Sequence, residues 1–371
     1  MNIGVNARIL LSDHMEGVAR YIYETTRHMA MAHPDDTFFL FFDRKVSAHF
    51  VFPANVIKIV VPLQARHPIL WHIWFEYLLP VFFYTYKIDV FYSGDGYLSL
   101  RTKIPTVLVT HDLAYIHFPE HIPYLALKHY QKYIPRYHDK AVSIIAVSEF
   151  VKNDIQKQFN ISTDKIHVAY NAVSEHLPDY DDVIPENLLR NISDDPYFIY
   201  LGSLHPRKNI ERLIDGFNQF LLQTDKQYKL ILCGRLAWKS DEIRKKIAQS
   251  KAVIHSGPIS ETTKYKLIKK AEALVYISLF EGFGIPILEA MKTGTPVITA
   301  SITSMPEVAD NAAILVNPYD VPAISEAFIK ISTDIKLKEE LISRGNERCK
   351  MFNWSKSSEI IYNQLLKAKN K

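Results

Sequence analysis

The apolar residues of this chain fall into short unbroken runs, and stretches with helical spacing lie between them. After an opening run around Ile3 and Val5, such runs occupy 38–42, 56–61, 90–92, 106–110, 143–147 and 167–169. Between the first two runs, Val18, Ile22, Thr25 and Met29 recur three or four apart, as one face of a helix does. Strands that read apolar throughout, rather than alternating, are buried on both faces, which predicts a parallel sheet covered by helices. The alternation restarts downstream with runs at 198–201, 230–233, 252–255, 274–277, 296–299 and 313–316. Between the two sets, 176–195 carries Pro178 and Pro185 among Asp179, Asp181, Asp182, Asp194 and Asp195, a composition typical of a domain boundary. From Trp354 the pattern is helical again, with Ile360, Ile361, Leu365 and Leu366 along one side.

The expected fold is therefore α/β, with two doubly wound, Rossmann-like parallel-sheet domains. The expected organisation is an N-terminal domain over 1–175, a linker over 176–195, a C-terminal domain over 196–353 and a terminal helix over 354–371 that crosses back to the N-terminal domain. A length of 371 residues suits two such domains. Hydrophobic residues at 48% and charged residues at 23% exclude a disordered or fibrous chain. The net charge, 44 − 40 = +4, is too small for a chain of this size to suggest a nucleic-acid partner. Cys233 and Cys349 both fall in apolar elements and read as free thiols of a reducing compartment. The start has no basic segment of an export signal, and the most apolar stretch, 69–86, is interrupted by His72, Glu76 and Pro80. A cytoplasmic location is the expectation.

The segment richest in chemistry is Glu281-Gly282-Phe283-Gly284-Ile285-Pro286-Ile287-Leu288-Glu289. It follows the run at 274–277, so Glu281 belongs at the carboxyl edge of a sheet, where open α/β sheets bind ligands. Gly282 and Gly284 allow close backbone approach, and Pro286 suits a helix start whose free N–H groups and dipole favour an anion. Glu289 then lies in or just beyond the first turn. A second segment, Gly202-Ser203-Leu204-His205-Pro206-Arg207-Lys208-Asn209, follows the first strand of the second set, with Asn209 as a candidate helix cap. Arg207 and Lys208 there suit a diphosphate, or else form a solvated basic turn. Two weaker signals are His111-Asp112 after the run at 106–110 and Gly17 at a helix start, each of which can equally be a structural edge or cap residue.

In this order and spacing, the four segments resemble glycosyltransferase family 4, the retaining transferases of GT-B fold, over nearly the whole chain. Thr295-Pro296-Val297, Pro306-Glu307-Val308 and Phe352-Asn353-Trp354 fit the same resemblance. It implies two domains facing a central cleft, and a nucleotide-sugar donor passing a hexose to a saccharide or lipid-linked saccharide acceptor. The Pro-Arg-Lys-Asn variant is similar to bacterial mannosyltransferases of surface polysaccharide assembly, so mannose from GDP-mannose is the expected donor group. Carried over by position, the catalytic residues are His111, Glu281, Lys208 and Arg207. The donor-binding set is Gly17, Gly202, Arg207, Lys208, Glu281, Phe283, Gly284, Ile285 and Glu289, with Glu289 on the ribose. Neither a metal nor another cofactor is expected. The literal Asp179-x-Asp181 lies in the linker, away from a strand end. The chain departs from many relatives at Glu16, where they carry a second glycine, at Ser203, where they carry Arg, and at Ile277, where proline is common.

Other classes stay open at this level. A nucleotide-sugar epimerase or a non-catalytic sugar-binding protein fits the same architecture. A dinucleotide oxidoreductase does not, since no Gly-x-Gly-x-x-Gly follows the first strand. One further pattern bears on partners. Lys128, Lys132, Arg136 and Lys140 recur every four residues beside Tyr130, Tyr133 and Tyr137, and Trp71, Trp74, Phe75, Tyr77, Phe82 and Phe83 lie upstream. These form either a solvated face over core aromatics or a peripheral contact with an anionic membrane at the inner face of the cell membrane.

Overall fold

The computed structural model describes residues 1–11, 17–47, 50–174 and 195–370. Glu16, Asp179, Asp181 and all but the last residue of the expected linker fall outside the described residues.

The chain divides into two compact units, Met1–Asn171 with Asn353–Lys371, and Ala172–Phe352. The first unit holds a parallel sheet of β1 (Asn2–Asn6), β2 (Thr37–Phe42), β3 (Val56–Val60), β4 (Val90–Ser93), β5 (Thr106–Thr110), β6 (Ser143–Ala146) and β7 (Ile166–Val168). Its spatial order is β3-β2-β1-β4-β5-β6-β7. The second unit repeats the arrangement with β8 (Tyr197–Leu201), β9 (Lys229–Cys233), β10 (Val253–Gly257), β11 (Ala273–Tyr276), β12 (Val297–Ala300) and β13 (Ile314–Val316). The order here is β10-β9-β8-β11-β12-β13. The central strands β4, β5, β6, β8, β11 and β12 are buried at every position, which is why their sequences read apolar without alternation.

Each sheet reverses its winding between two neighbouring strands, β1 and β4 in one, β8 and β11 in the other. The crevice outside the carboxyl ends at such a reversal is where open α/β sheets accept ligands.

The helix Trp354–Lys369 belongs to the first unit. Asn353 caps it, its side-chain oxygen accepting from Ser355 N at 2.7 Å and Lys356 N at 3.3 Å. Trp354 packs edge-on against Tyr21 at 5.7 Å, Ser357 donates to the Tyr170 carbonyl at 2.7 Å, and Tyr362 stacks on His33. The buried side runs through Trp354, Ser357, Ile361, Leu365 and Ala368. It is rotated from the expected apolar side, since Leu366 is exposed and Ile360 only half-buried.

Candidate functional site

In the second unit, the Gly202 loop leaves β8 and the Glu281 loop leaves β11, so the two strongest sequence signals emerge from paired strands at the winding reversal. Gly202 has φ of +134°, and its N–H donates to the Cys233 carbonyl at 3.0 Å. Gly234, at φ +143°, approaches so closely that a β-carbon there would collide with the Gly202 carbonyl. That packing of two loop glycines was not evident from the sequence, because Gly234 stands alone after β9.

His205 opens a short 3-10 turn, Pro206–Lys208, by accepting from Arg207 N at its Nδ1, 3.2 Å away. Asn209 is not the side-chain cap that the sequence suggested. It sits at φ +60°, and its Nδ2 donates to the carbonyls of Ile277 at 3.2 Å and Pro318 at 2.7 Å. Left-handed backbone is tolerated by Asn, and the amide thereby ties the basic loop to the end of β11. Leu279 N–H donates to the Arg207 carbonyl at 2.8 Å, and Arg207 Nη1 donates to the Phe280 carbonyl at 3.0 Å.

These ties bring Arg207, Lys208 and Glu281 together. Lys208 Nζ forms an ion pair with Glu281 Oε1 and lies 3.2 Å from the Tyr276 hydroxyl, which in turn donates to the same carboxylate oxygen at 2.8 Å. Glu281 is buried. Burial alone would raise its pKa, but Lys208 and then Arg207 outweigh that and hold the carboxyl below its ordinary value. Burial pushes the Tyr276 phenol far up, so it remains a donor.

The loop's exit is held by Ser304, whose hydroxyl is shared between the carbonyls of Glu281 at 2.9 Å and Phe283 at 3.1 Å. Gly284, at φ +99°, precedes the helix Ile285–Lys292, and Pro286 occupies its second position rather than its first. Proline has no N–H, and Ile287 N–H bonds the Gly284 carbonyl, so Ile285 is the one of the first three helical residues able to offer its N–H to an anion. Glu289, the fifth residue, is buried with Oε1 at 2.6 Å from Lys264 Nζ and 3.5 Å from the Tyr265 hydroxyl. Lys264, Tyr276 and Ser304 were missed in the sequence because their roles depend on tertiary approach.

The other sequence-predicted residues lie in the first unit. His111 follows β5, and its Nε2 donates to the Gly94 carbonyl at 2.8 Å. Burial lowers its pKa, against the opposing effect of that hydrogen bond, and keeps the imidazole neutral. Tyr21 stands edge-on to it at 5.2 Å, one turn along the helix that Gly17 begins. At the ends of β1 and β4 the unit also holds an unforeseen cluster. Asn6 Nδ2 donates to Asp95 Oδ1 at 2.5 Å, and Arg8 Nη2 donates to Asp95 Oδ2 at 2.9 Å. The Arg8 guanidinium lies 5.1 Å from the Tyr97 ring centre. Polar residues straight after two central strands were the available signal. Among the described residues, no three His, Cys, Asp or Glu side chains are grouped as a metal site.

Comparison with known proteins gives a consistent picture. Residues 187–348 match the family described as glycosyl transferases group 1, and residues 15–177 match glycosyltransferase family 4. The chain is 30% identical to the O-antigen chain mannosyltransferase B of Escherichia coli over 274 residues, 72% of each chain. It is 25% identical to the O-antigen chain mannosyltransferase RfbU of Salmonella typhimurium over 85% of this chain and 84% of that one. In fold it is similar to the sucrose-phosphate synthase of Thermosynechococcus elongatus, with a TM-score of 0.76 at 18% identity, covering 99% of this chain and 100% of the other.

Proposed function

The chain belongs to the group 1 and family 4 glycosyltransferases, and from that premise we propose that it transfers mannose from GDP-mannose to a saccharide or lipid-linked saccharide in surface polysaccharide assembly. The curated relatives named as O-antigen mannosyltransferases support the sugar. The observation that carries the reading is the cluster of Arg207, Lys208 and Glu281 at the ends of β8 and β11.

The chemical difficulty of the transfer is charge on the leaving group. As the bond from the anomeric carbon to the diphosphate oxygen breaks, negative charge grows on the diphosphate. Lys208, Arg207 and the N–H of Ile285 are fixed donors for that charge, and preorganised donors of this kind lower the barrier without reorganising. Glu281 accepts from a hydroxyl of the transferred sugar, and Glu289 accepts from the ribose hydroxyls. In the first unit, His111 is a neutral imidazole, suited to hydrogen-bonding a sugar hydroxyl rather than to carrying charge. Retention follows if the acceptor oxygen bonds the anomeric carbon on the face the diphosphate leaves. The acceptor's proton then passes to the departing phosphate oxygen, and no metal enters the step.

A thermal-shift screen across GDP-, UDP- and dTDP-sugars tests the donor, because a ligand bound only by the native state raises its stability. GDP-mannose should give the largest rise; a larger rise with a UDP-sugar overturns the assignment. Product analysis with and without acceptor separates transfer from epimerisation, and the anomeric configuration of the product tests retention.

A further inference from the structure

We propose that the first unit carries a docking face for an anionic lipid surface, made by the outer side of residues 68–85 and the basic edge of the helix Tyr124–Lys140. The first segment is one helical run, Pro68–Ile73, a π-turn at Trp74–Leu78, and Leu79–Thr85. Of the aromatics in that stretch, Trp74, Phe75 and Phe83 are core. The outer side is a different row: Ile69 is 64% exposed, Ile73 36%, Tyr77 51%, Val81 60% and Tyr84 88%.

The π-turn is what lines these residues up. In an α-helix, a step of four residues overshoots a full turn by about 40°, so such a row would spiral off the surface. The wider turn at Trp74–Leu78 takes that drift back. Single exposed apolar residues are ordinary, but a row of five on one side is not.

Glu76 is the sole Asp, Glu, Lys or Arg in 68–85. It is turned inward, accepting from Leu100 N at 2.9 Å, Arg101 N at 3.0 Å and the Ser99 hydroxyl at 3.3 Å. The same contacts bring Arg101 to the row, its guanidinium 4.4 Å over the Tyr77 ring. His72 packs against Tyr133 at 5.5 Å, and Lys132 Nζ and Arg136 Cζ lie 5.1 and 5.9 Å from that ring. Pro135 does not interrupt this helix, and Lys128, Lys132 and Arg136 are exposed. Lys140 is spent on the carbonyls of Leu100 and Thr102 and takes no part.

An apolar row edged by cations, with its one acid withdrawn, matches acyl chains flanked by anionic headgroups. A second copy of the chain fits less well, since two-fold pairing through this row would bring like charges together. The function reading supplies only the purpose, holding the enzyme where a lipid-linked acceptor resides.

The test is co-sedimentation of the full chain with vesicles of phosphatidylglycerol and phosphatidylcholine, and of phosphatidylcholine alone, at low and high salt. Binding should require phosphatidylglycerol and weaken with salt. Ile69→Ser with Ile73→Ser and Val81→Ser should lower it about tenfold or more, as one buried CH₂ contributes about a fourfold change. Lys128→Ser with Lys132→Ser and Arg136→Ser should remove its salt dependence. Tyr84→Ser, at the most exposed position of the row, provides a variant that leaves the core intact and should weaken binding on its own. Absence of binding at low salt, equal binding to neutral vesicles, or binding unchanged in all three variants overturns the proposal. So does a wild-type dimer that the Ile69 triple variant dissociates while neither form binds vesicles. The readout needs no donor, so failure of the mannose assignment leaves this test intact.

Discussion

Lys264 Nζ lies 2.6 Å from Glu289 Oε1 in the interior of the second unit, so the carboxylate assigned to the ribose is already held by a cation. Lys264 also reaches Glu261 Oε1 at 2.9 Å, which fixes the ammonium between two acids. Glu289→Ala should weaken nucleoside diphosphate binding by roughly tenfold to a hundredfold, since a hydrogen bond to a charged group contributes about 1.5–3 kcal/mol. Lys264→Met should cost less affinity, because it disturbs the carboxylate's position without removing it. Calorimetric titration with GDP ranks the two, and wild-type affinity in Glu289→Ala would reject the ribose assignment.

Glu281 occupies Lys208 in the same way, but its proposed partner is the sugar rather than the nucleotide. Glu281→Gln should therefore lower kcat while GDP affinity stays near that of the wild type. Lys208→Ala should reduce both. The discriminating result is the titration: equal losses of GDP affinity in the two variants contradict the division of roles.

The sequence made these two glutamates legible because each clue was local. A strand, two glycines and a proline fix where Glu281 emerges, and eight residues later the helix carries Glu289. What it left hidden depends on tertiary approach. Asn209 looked like a cap, yet its left-handed backbone turns the amide toward Ile277 and Pro318. Lys264, 25 residues before Glu289, gave no sign of its partner. Of the upstream aromatics, Trp74, Phe75 and Phe83 are core, one of the two readings the sequence left open, whereas the exposed row through Ile69, Ile73, Tyr77, Val81 and Tyr84 crosses the π-turn at Trp74–Leu78, a step that no 3.6-residue pattern contains. The strand pattern, by contrast, carried over to the central strands of both sheets, because continuous apolar runs record burial on two faces at once, while the run of β3 lies at a sheet edge with Ile57 and Val60 exposed.

If Lys208, Arg207 and Ile285 N–H carry the diphosphate charge, transfer should persist in excess EDTA. Rates measured before and after chelation should agree within about twofold, a free-energy difference of roughly 0.4 kcal/mol. Loss of activity restored by magnesium or manganese would defeat the metal-free mechanism.

Trp354 joins the terminal helix to the helix that Gly17 begins, and Tyr21 passes the contact on to His111. Trp354 is 3% exposed. Trp354→Ala should therefore destabilise the first unit by about 3–5 kcal/mol, through lost burial and the cavity left behind. Chemical denaturation followed by tyrosine and tryptophan fluorescence measures it. A loss below about 0.5 kcal/mol, the range of surface substitutions, would mean that the Trp354 contact does not hold the terminal helix to the unit.

His138 should make the protein acid-sensitive above the carboxylate range. Its Nδ1 donates to the Ile134 carbonyl at 2.8 Å, and its Nε2 accepts from the Thr110 hydroxyl at 2.8 Å, so the ring is satisfied when neutral. Burial, with Lys165 adding to it against the Ile134 bond, lowers its pKa from 6.5 to about 4. The unfolded chain binds the proton first as pH falls, so the unfolded state holds more protons throughout that window. Stability is therefore complete above pH 6.5 and is lost as pH drops toward about 4. A shift of this size corresponds to roughly 3 kcal/mol in total. His138→Asn will be less stable at neutral pH, but its melting temperature should fall less steeply than that of the wild type as pH is lowered through the window. Parallel slopes for the two proteins would show that His138 is protonated equally in both states, and the neutral buried ring would have to be abandoned.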